Sequence, residues 1–143
     1  MKILWVVRQA EGGILGHLSQ LLEGMSDHEI LIAAPAALKG WAGEHEFCPV
    51  EIGDRLSIRS DMAAARELRH LIVGHKPDVV HIHGLKAALI TALAASFQRP
   101  RPRLVFTLHN NLPQPKSVFH RTAYAFVQRR VLGRVDYIIT VSD

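Results

Sequence analysis

Short runs in which every position is apolar alternate along the chain with segments whose apolar residues recur at helical spacing. The first run, residues 3–7 (ILWVV), has the pattern of a strand that is covered on both faces of a sheet. Leucines at helical spacing follow it, with Gly24 near the end of that predicted helix. Comparable runs predict further strands at residues 29–34, 47–52, 78–82, 103–108 and 137–141.

Three more segments between these strands are predicted to be helical. The first is capped at its start by Ser60 or Asp61 and ends near Gly74. An alanine-rich helix follows the fourth strand up to about Gln98, and an amphipathic helix covers residues 118–132. This alternation predicts one doubly wound, Rossmann-like α/β domain with a parallel sheet over residues 1–143. In the common strand order, the first, fourth and fifth strands are neighbours.

Composition narrows the class of protein without selecting a ligand. An apolar fraction of 48% and a charged fraction of 21% are typical of a folded domain. Lys and Arg number 17 against 13 Asp and Glu, a mildly basic balance that suits phosphorylated ligands or anionic membranes. Nucleic acid is not expected, because no aromatic stacking platform accompanies the basic residues. A lone cysteine, Cys48, and the lack of a membrane-length apolar run favour the cytoplasm.

The polar residues best suited to chemistry follow the predicted strands. Ligands in doubly wound folds bind beyond the carboxyl ends of the strands, so these residues are expected to converge on one site. They are Gly12 and Gly13 after the first strand, His83 and Gly84 after the fourth, His109 and Asn110 after the fifth, and Ser142 after the sixth. No G-x-S-x-G motif surrounds Ser142, which excludes a hydrolase triad there.

The glycine pair leaves two interpretations open. Gly12 and Gly13 either permit a tight turn between strand and helix, or let a ligand approach the backbone closely. The spacing matches neither G-x-G-x-x-G nor the P-loop, so a dinucleotide or Walker-type site is disfavoured. His17, among leucines early in the first helix, is equally open between core packing and ligand contact.

Two histidines of the fourth strand share one face, because they are two positions apart. His81 and His83, with His109 as a third ligand, suit a metal ion, and a metallohydrolase is one alternative. No carboxylate or cysteine cluster supports that alternative. His81 lies inside the strand and is expected to be a structural histidine bonded to neighbouring backbone.

Four segments in order, EGGILGH, KPDVVHIHG, LVFTLHNN and VDYIITVSD, resemble the N-terminal half of the family-4 (group 1) glycosyltransferases of the GT-B fold. The resemblance implies retaining transfer of a sugar from a nucleotide-sugar donor to a glycan, lipid-linked or small-molecule acceptor. It also implies that the chain is the acceptor-side domain, that the donor-binding C-terminal domain is absent, and that the chain alone is inactive. A non-catalytic Rossmann-like binding module is the other alternative.

The same resemblance assigns roles to particular residues. Gly12 and Gly13 match the loop beside the donor diphosphate, and His109 matches the histidine beside the transferred sugar. No metal or cofactor is implied, because helix dipoles and basic side chains usually neutralise the leaving diphosphate in this fold. Contact with the inner face of the membrane is compatible with the basic residues. The expected acceptor or cleft wall comprises His17, His83, Gly84, Thr107, Asn110, Arg55, Arg59 and Ser142.

Overall fold

A single parallel sheet organises the chain. The structure is a computed structural model that describes residues 1–53, 55, 57–96, 98–109, 125, 129–131 and 133–141. Within these residues the strands are β1 (Lys2–Val7), β2 (Glu29–Ala34), β3 (Glu46–Pro49), β4 (Val79–His83), β5 (Arg103–Leu108) and β6 (Tyr137–Thr140). They pair in the order β3-β2-β1-β4-β5-β6, and every pair is parallel. The predicted doubly wound α/β fold is confirmed.

Helices connect the strands across both faces of the sheet. They are α1 (Gly13–Glu23), a 3-10 turn (Ala36–Leu38), α2 (Lys39–Ala42), α3 (Ile58–His75) and α4 (Leu85–Ala94). The helix predicted at residues 118–132 falls mainly outside the described residues.

Alternate residues of the central strand belong to two separate cores. Trp5, like its neighbours at positions 3 and 7, packs with Leu18 and Leu22 of α1. Leu4 and Val6 pack on the opposite face in the core that α3 and α4 complete. The uninterrupted apolar run ILWVV therefore reflects burial on both faces of β1.

Two predicted helix boundaries are wrong, and side-chain hydrogen bonds account for the first. Helix α3 is capped by Ser57 and not by Ser60 or Asp61: the Ser57 hydroxyl accepts from the Ser60 N–H, and the Asp61 carboxylate accepts from the Ser57 N–H at 3.1 Å. Helix α4 ends at Ala94, four residues before Gln98. Just beyond it, the Ser96 hydroxyl donates to the Ala92 carbonyl at 2.6 Å, which offers the backbone an alternative to a further helical turn.

The register of the three central strands brings their carboxyl ends level. Val7 of β1 pairs with His83 of β4, and His83 pairs with Thr107 of β5. The residues that follow these three strands therefore emerge side by side at one edge of the sheet.

Candidate functional site

The carboxyl edge of β1, β4 and β5 gathers the residues that follow those strands, with the starts of two helices beside them. Gly12 is the N-cap of α1, and Gly84 is the N-cap of α4. Neither helix has a side-chain cap or an acidic residue in its first turn. The backbone N–H groups of a helix start carry partial positive charge, so this edge favours an anionic ligand.

The two glycines of the first loop differ in what they require. Gly12 has φ +58° and ψ −127°, a conformation that other residues rarely adopt, whereas Gly13 lies within α1 without a positive φ. A Cβ added at either position would have no atom within 4 Å. The turn therefore explains Gly12 but not Gly13, and Gly13 leaves open space over the start of α1.

Histidines from α1, β4 and the end of β5 form a continuous cluster with Trp5. The ring centroids of His17 and His109 are 5.3 Å apart, and those of His109 and His83 are 5.4 Å apart. The His83 ring continues to His81 at 4.2 Å and to Trp5 at 4.7 Å. His83 Nδ1 lies 3.1 Å from His109 Nε2, within hydrogen-bonding distance. The His17 ring thus contacts the His109 ring, so His17 lies on α1 and also lines the candidate site.

Burial favours the neutral forms of His81, His83 and His109. Burial, reinforced by the charges of His109 and His17, lowers the pKa of His81 to about 4. Burial also lowers the pKa of His83 well below its ordinary value, and the charges of His81, His109 and His17 lower it further. Burial also lowers the pKa of His109, followed by the charges of His17 and Arg8. Near neutral pH the core of the cluster is therefore a set of neutral rings, each with one N–H donor and one acceptor nitrogen.

Two of the predicted wall residues lie behind the surface of the site. Thr107 is fully buried, and its hydroxyl is 2.8 Å from His81 Nε2. His83 is only 2% exposed and lies behind His109. His81 is structural as predicted, but its partner is this hydroxyl and not a backbone group. Of His81, His83 and His109, only the half-buried His109 has a substantial exposed surface.

Arg8 is the residue that sequence reasoning missed. It directly follows β1, and its side chain passes so close to Gly84 that a Cβ there would lie 2.7 Å from Nε and 2.8 Å from Cδ. Gly84 also has φ +98°, a conformation that favours glycine, and a side chain there would force Arg8 to move. The charge of the Arg8 guanidinium contributes to lowering the pKa of His109, after burial and His17. The sequence feature that could have indicated Arg8 is its position, because it is a cation at the carboxyl end of the first strand.

The predicted acceptor arginines lie further along the same edge. The ammonium of Lys86, in the first turn of α4, donates to the Arg55 carbonyl and pairs with Asp61 at 2.8 Å. This pair joins the start of α3 to the start of α4. The side chains of Arg55 and Arg59 are exposed, and no recorded contact links them to the histidine cluster. Asn110 and Ser142 fall outside the described residues.

The metal alternative finds no support in this arrangement. Across the described part of the chain, no group of three or more His, Cys, Asp or Glu side chains is arranged to hold a metal ion. His81 Nε2 faces the Thr107 hydroxyl, and His83 and His109 face each other. These ring nitrogens are therefore directed at one another and at a hydroxyl.

Comparison with known proteins places the chain in a family. Residues 12–143 match the glycosyl transferase 4-like domain. The chain belongs to this family. It is a glycosyltransferase-like domain, and its resemblance to the N-terminal domain of family-4 GT-B glycosyltransferases is confirmed. A glycogen synthase of Rhodopseudomonas palustris (strain HaA2) is 42% identical over 40 residues, which are 28% of this chain and 8% of the synthase.

Solved structures share the fold of this glycosyltransferase-like domain. HepE of Anabaena, in complex with UDP, matches with a TM-score of 0.70 and 19% identity over 96% of this chain and 37% of HepE. The UDP-GlcNAc 2-epimerase of Methanocaldococcus jannaschii matches with a TM-score of 0.64 and 14% identity over 98% of this chain and 39% of the epimerase. The chain spans less than half the length of either protein.

None of the helices that the structure describes has the length and apolar character needed to cross a bilayer.

Proposed function

We propose that this domain is the acceptor-side half of a retaining glycosyltransferase that uses a nucleotide-sugar donor. The acceptor is a glycan, a lipid-linked sugar or a small molecule, and a donor-binding domain is needed to complete the cleft. The chain alone is accordingly expected to be inactive. The observation that carries the proposal is the convergence of the Gly12–Gly13 loop, His17 and His109 on the carboxyl edge of a domain of this family.

The glycine loop supplies the proposed contact with the donor diphosphate. Helix α1 starts at an uncapped glycine, so its first backbone N–H groups can donate to phosphate oxygens. Gly13 is not needed for the turn, yet it keeps the space over these groups open. Arg8 adds a full positive charge at the same edge. Together these groups would stabilise the charge that develops on the departing diphosphate.

His109 supplies the proposed contact with the transferred sugar. The ring is held on one side by His83 and on another by His17. A half-buried neutral ring held in this way can orient a sugar hydroxyl at little further entropic cost. In the enzyme with its donor domain, replacing His109 with Ala is expected to reduce kcat by about 10²-fold, as is common for a lost hydrogen-bond donor at a reacting centre.

Calorimetry with a panel of nucleotide sugars tests the proposal. It would be carried out on this chain and on a longer protein that includes the sequence following it in the gene. We expect binding, and glycosyl transfer to an acceptor, by the longer protein and weak or no binding by this chain. If the longer protein contains a donor domain but binds no nucleotide sugar, the proposal is wrong.

Two glycines with the same backbone conformation provide a matched control. Gly12 and Gly43 have φ, ψ values of 58°, −127° and 59°, −126°, and neither would place a Cβ within 4 Å of another atom. Substitution with Ala should therefore strain the two backbones alike. Only Gly12→Ala should weaken donor binding beyond its effect on stability. Equal losses of donor binding in both variants would show that the Gly12–Gly13 loop does not contact the donor.

The fold shared with a UDP-GlcNAc 2-epimerase defines one competing outcome. Incubating the longer protein with UDP-GlcNAc in the absence of acceptor separates the two activities. A transferase should leave the sugar configuration of the donor unchanged. Conversion to the 2-epimer would replace the proposed transfer with epimerisation.

A further inference from the structure

The hydrogen bond between His83 and His109 requires one ring to donate and the other to accept. His83 Nδ1 and His109 Nε2 are 3.1 Å apart, and the bond joins the end of β4 to the residue after β5. Both rings are neutral near pH 7, because burial lowers the pKa of each. The direction of this one bond therefore fixes the tautomer of both rings.

The surroundings of His83 decide the direction. His83 Nε2 is buried and, among the described residues, has no hydrogen-bond partner. Trp5 Nε1, an obligatory donor, is likewise buried without a partner, and the two rings are 4.7 Å apart. A hydrogen on His83 Nε2 would give these contacting rings two unpaired donors. With the hydrogen on Nδ1, His83 donates to His109, and its buried Nε2 is an acceptor beside the Trp5 N–H. This tautomer therefore avoids a second buried, unpaired N–H next to that of Trp5.

We propose that His83 is a positioning residue whose Nδ1–H donates to Nε2 of His109 and thereby fixes His109 as the Nδ1–H tautomer. His83 itself is 2% exposed and is not expected to touch the ligand. Its role is to determine which atom His109 presents to the cleft. Packing against Trp5 holds the His83 ring in place.

The tautomer determines what His109 can do in the reaction, a consequence that rests on the proposed function. With Nε2 accepting from His83, the neutral ring has no lone pair left for a proton. Nδ1–H can donate to an oxygen of a sugar hydroxyl or a phosphate, but His109 cannot act as a general base toward the acceptor hydroxyl. The site therefore orients the donor through this ring, and the acceptor proton must leave by another route.

The first experiment is long-range proton–nitrogen NMR on the chain carrying ¹⁵N-labelled histidine. The expected spectrum at neutral pH shows a protonated Nδ1 and a bare Nε2 for His109, opposite to the tautomer that a neutral histidine side chain prefers in water. A bare Nδ1 and a protonated Nε2 for His109 overturn the proposal. This measurement needs no substitution, so it decides the tautomer even if every variant folds poorly.

A matched pair of substitutions then tests whether His83 is the cause. In His83→Leu, His109 loses its donor and should shift toward the Nε2–H form. His81→Leu removes another buried imidazole from the same face of β4, but its partner is Thr107 and not His109. The tautomer of His109 should be unchanged in that control. A shift in both variants, or in neither, rejects the positioning role.

Two substitutions of His109 test the functional consequence in the longer, active enzyme. Asn can place an N–H near the position of Nδ1, whereas Asp can only accept or take up a proton. A donor role predicts that His109→Asn retains at least tenfold more kcat than His109→Asp. The reverse order would make His109 a base and overturn the consequence. If Ala, Asn and Asp all leave turnover intact, the proposed function of His109 fails while the NMR result still decides the tautomer.

Discussion

Replacing Gly84 with Ala gives the sharpest test of how the edge of the sheet is built. Gly84 has φ +98° and ψ 147°, a region that only glycine enters readily, so a side chain costs about 1–3 kcal/mol there. Its Cβ would also lie 2.7 Å from Arg8 Nε, which forces the arginine out of its rotamer at about 1 kcal/mol. The expected loss in the free energy of unfolding is about 3 kcal/mol in total.

Thermal unfolding followed by circular dichroism measures this loss. At about 2.1 cal/mol/K per residue, the 143 residues give an unfolding entropy of about 0.3 kcal/mol/K, so each lost kcal/mol lowers Tm by about 3 °C. Gly84→Ala should therefore lower Tm by about 9 °C. Gly12→Ala, which has the strain but no collision, should lower it by about 6 °C.

A double-mutant cycle isolates the contact with Arg8. In an Arg8→Ala background, Gly84→Ala should lose only the strain, so the two substitutions should be less than additive by about 1 kcal/mol. Additivity within about 0.3 kcal/mol would show that Arg8 does not lie over Gly84. A Gly84→Ala variant that melts with the wild-type protein would refute the conformational argument itself.

Three further predictions concern other parts of the chain. The pKa of His81 is about 4 in the folded protein against 6.5 ordinarily, so the unfolded chain binds more protons between these values. The contribution of His81 to the free energy of unfolding is therefore complete above about pH 6.5 and falls by about 3 kcal/mol as the pH drops to 4, a loss that denaturant titrations should find reduced in His81→Asn. Gly13→Ala should raise the free energy of unfolding by roughly 0.5 kcal/mol, because alanine favours the helix. In the longer protein the same substitution should weaken nucleotide-sugar binding measured by calorimetry, and unchanged binding would contradict a contact between Gly13 and the donor. Asp136 accepts from the Leu104 N–H and from Arg101, each at 2.7 Å, so Asp136→Ala should lower the free energy of unfolding by about 2 kcal/mol in urea, and an unchanged midpoint would count against this tether.

The strands of the sheet were predicted well, because a strand that is buried on both faces has an uninterrupted run of apolar residues. The bounds predicted for the second and fifth strands match β2 and β5, and the first, fourth and fifth strands are neighbours as expected. The start of α3 was missed because three polar residues near it could each cap a helix, and only the reciprocal bonds of Ser57 distinguish them. Such a choice depends on local geometry that residue types alone do not specify.

The candidate site was predicted in outline but not in depth. Alternation put His81 and His83 on one face, yet it could not tell that Trp5, on the neighbouring strand, would cover both rings. Nor could spacing indicate that His17 of α1 would reach His109. Arg8 was not singled out, because a cation at a strand end is equally common on any solvated edge. Side-chain depth and direction depend on contacts between distant segments.

The distribution of unfavourable features supports a functional role for the carboxyl edge. On β4, Val80 and Ile82 fill one core as expected for a buried strand, whereas the other face carries two histidines whose charged forms burial disfavours. His83 also buries a ring nitrogen that has no partner among the described residues, a cost that an apolar residue at that position would avoid. Gly12 and Gly84 add turns at the same edge whose conformations only glycine enters readily. Leucine at position 83 would avoid that cost, so a histidine at this position beside His109 fits the chemistry proposed for the site.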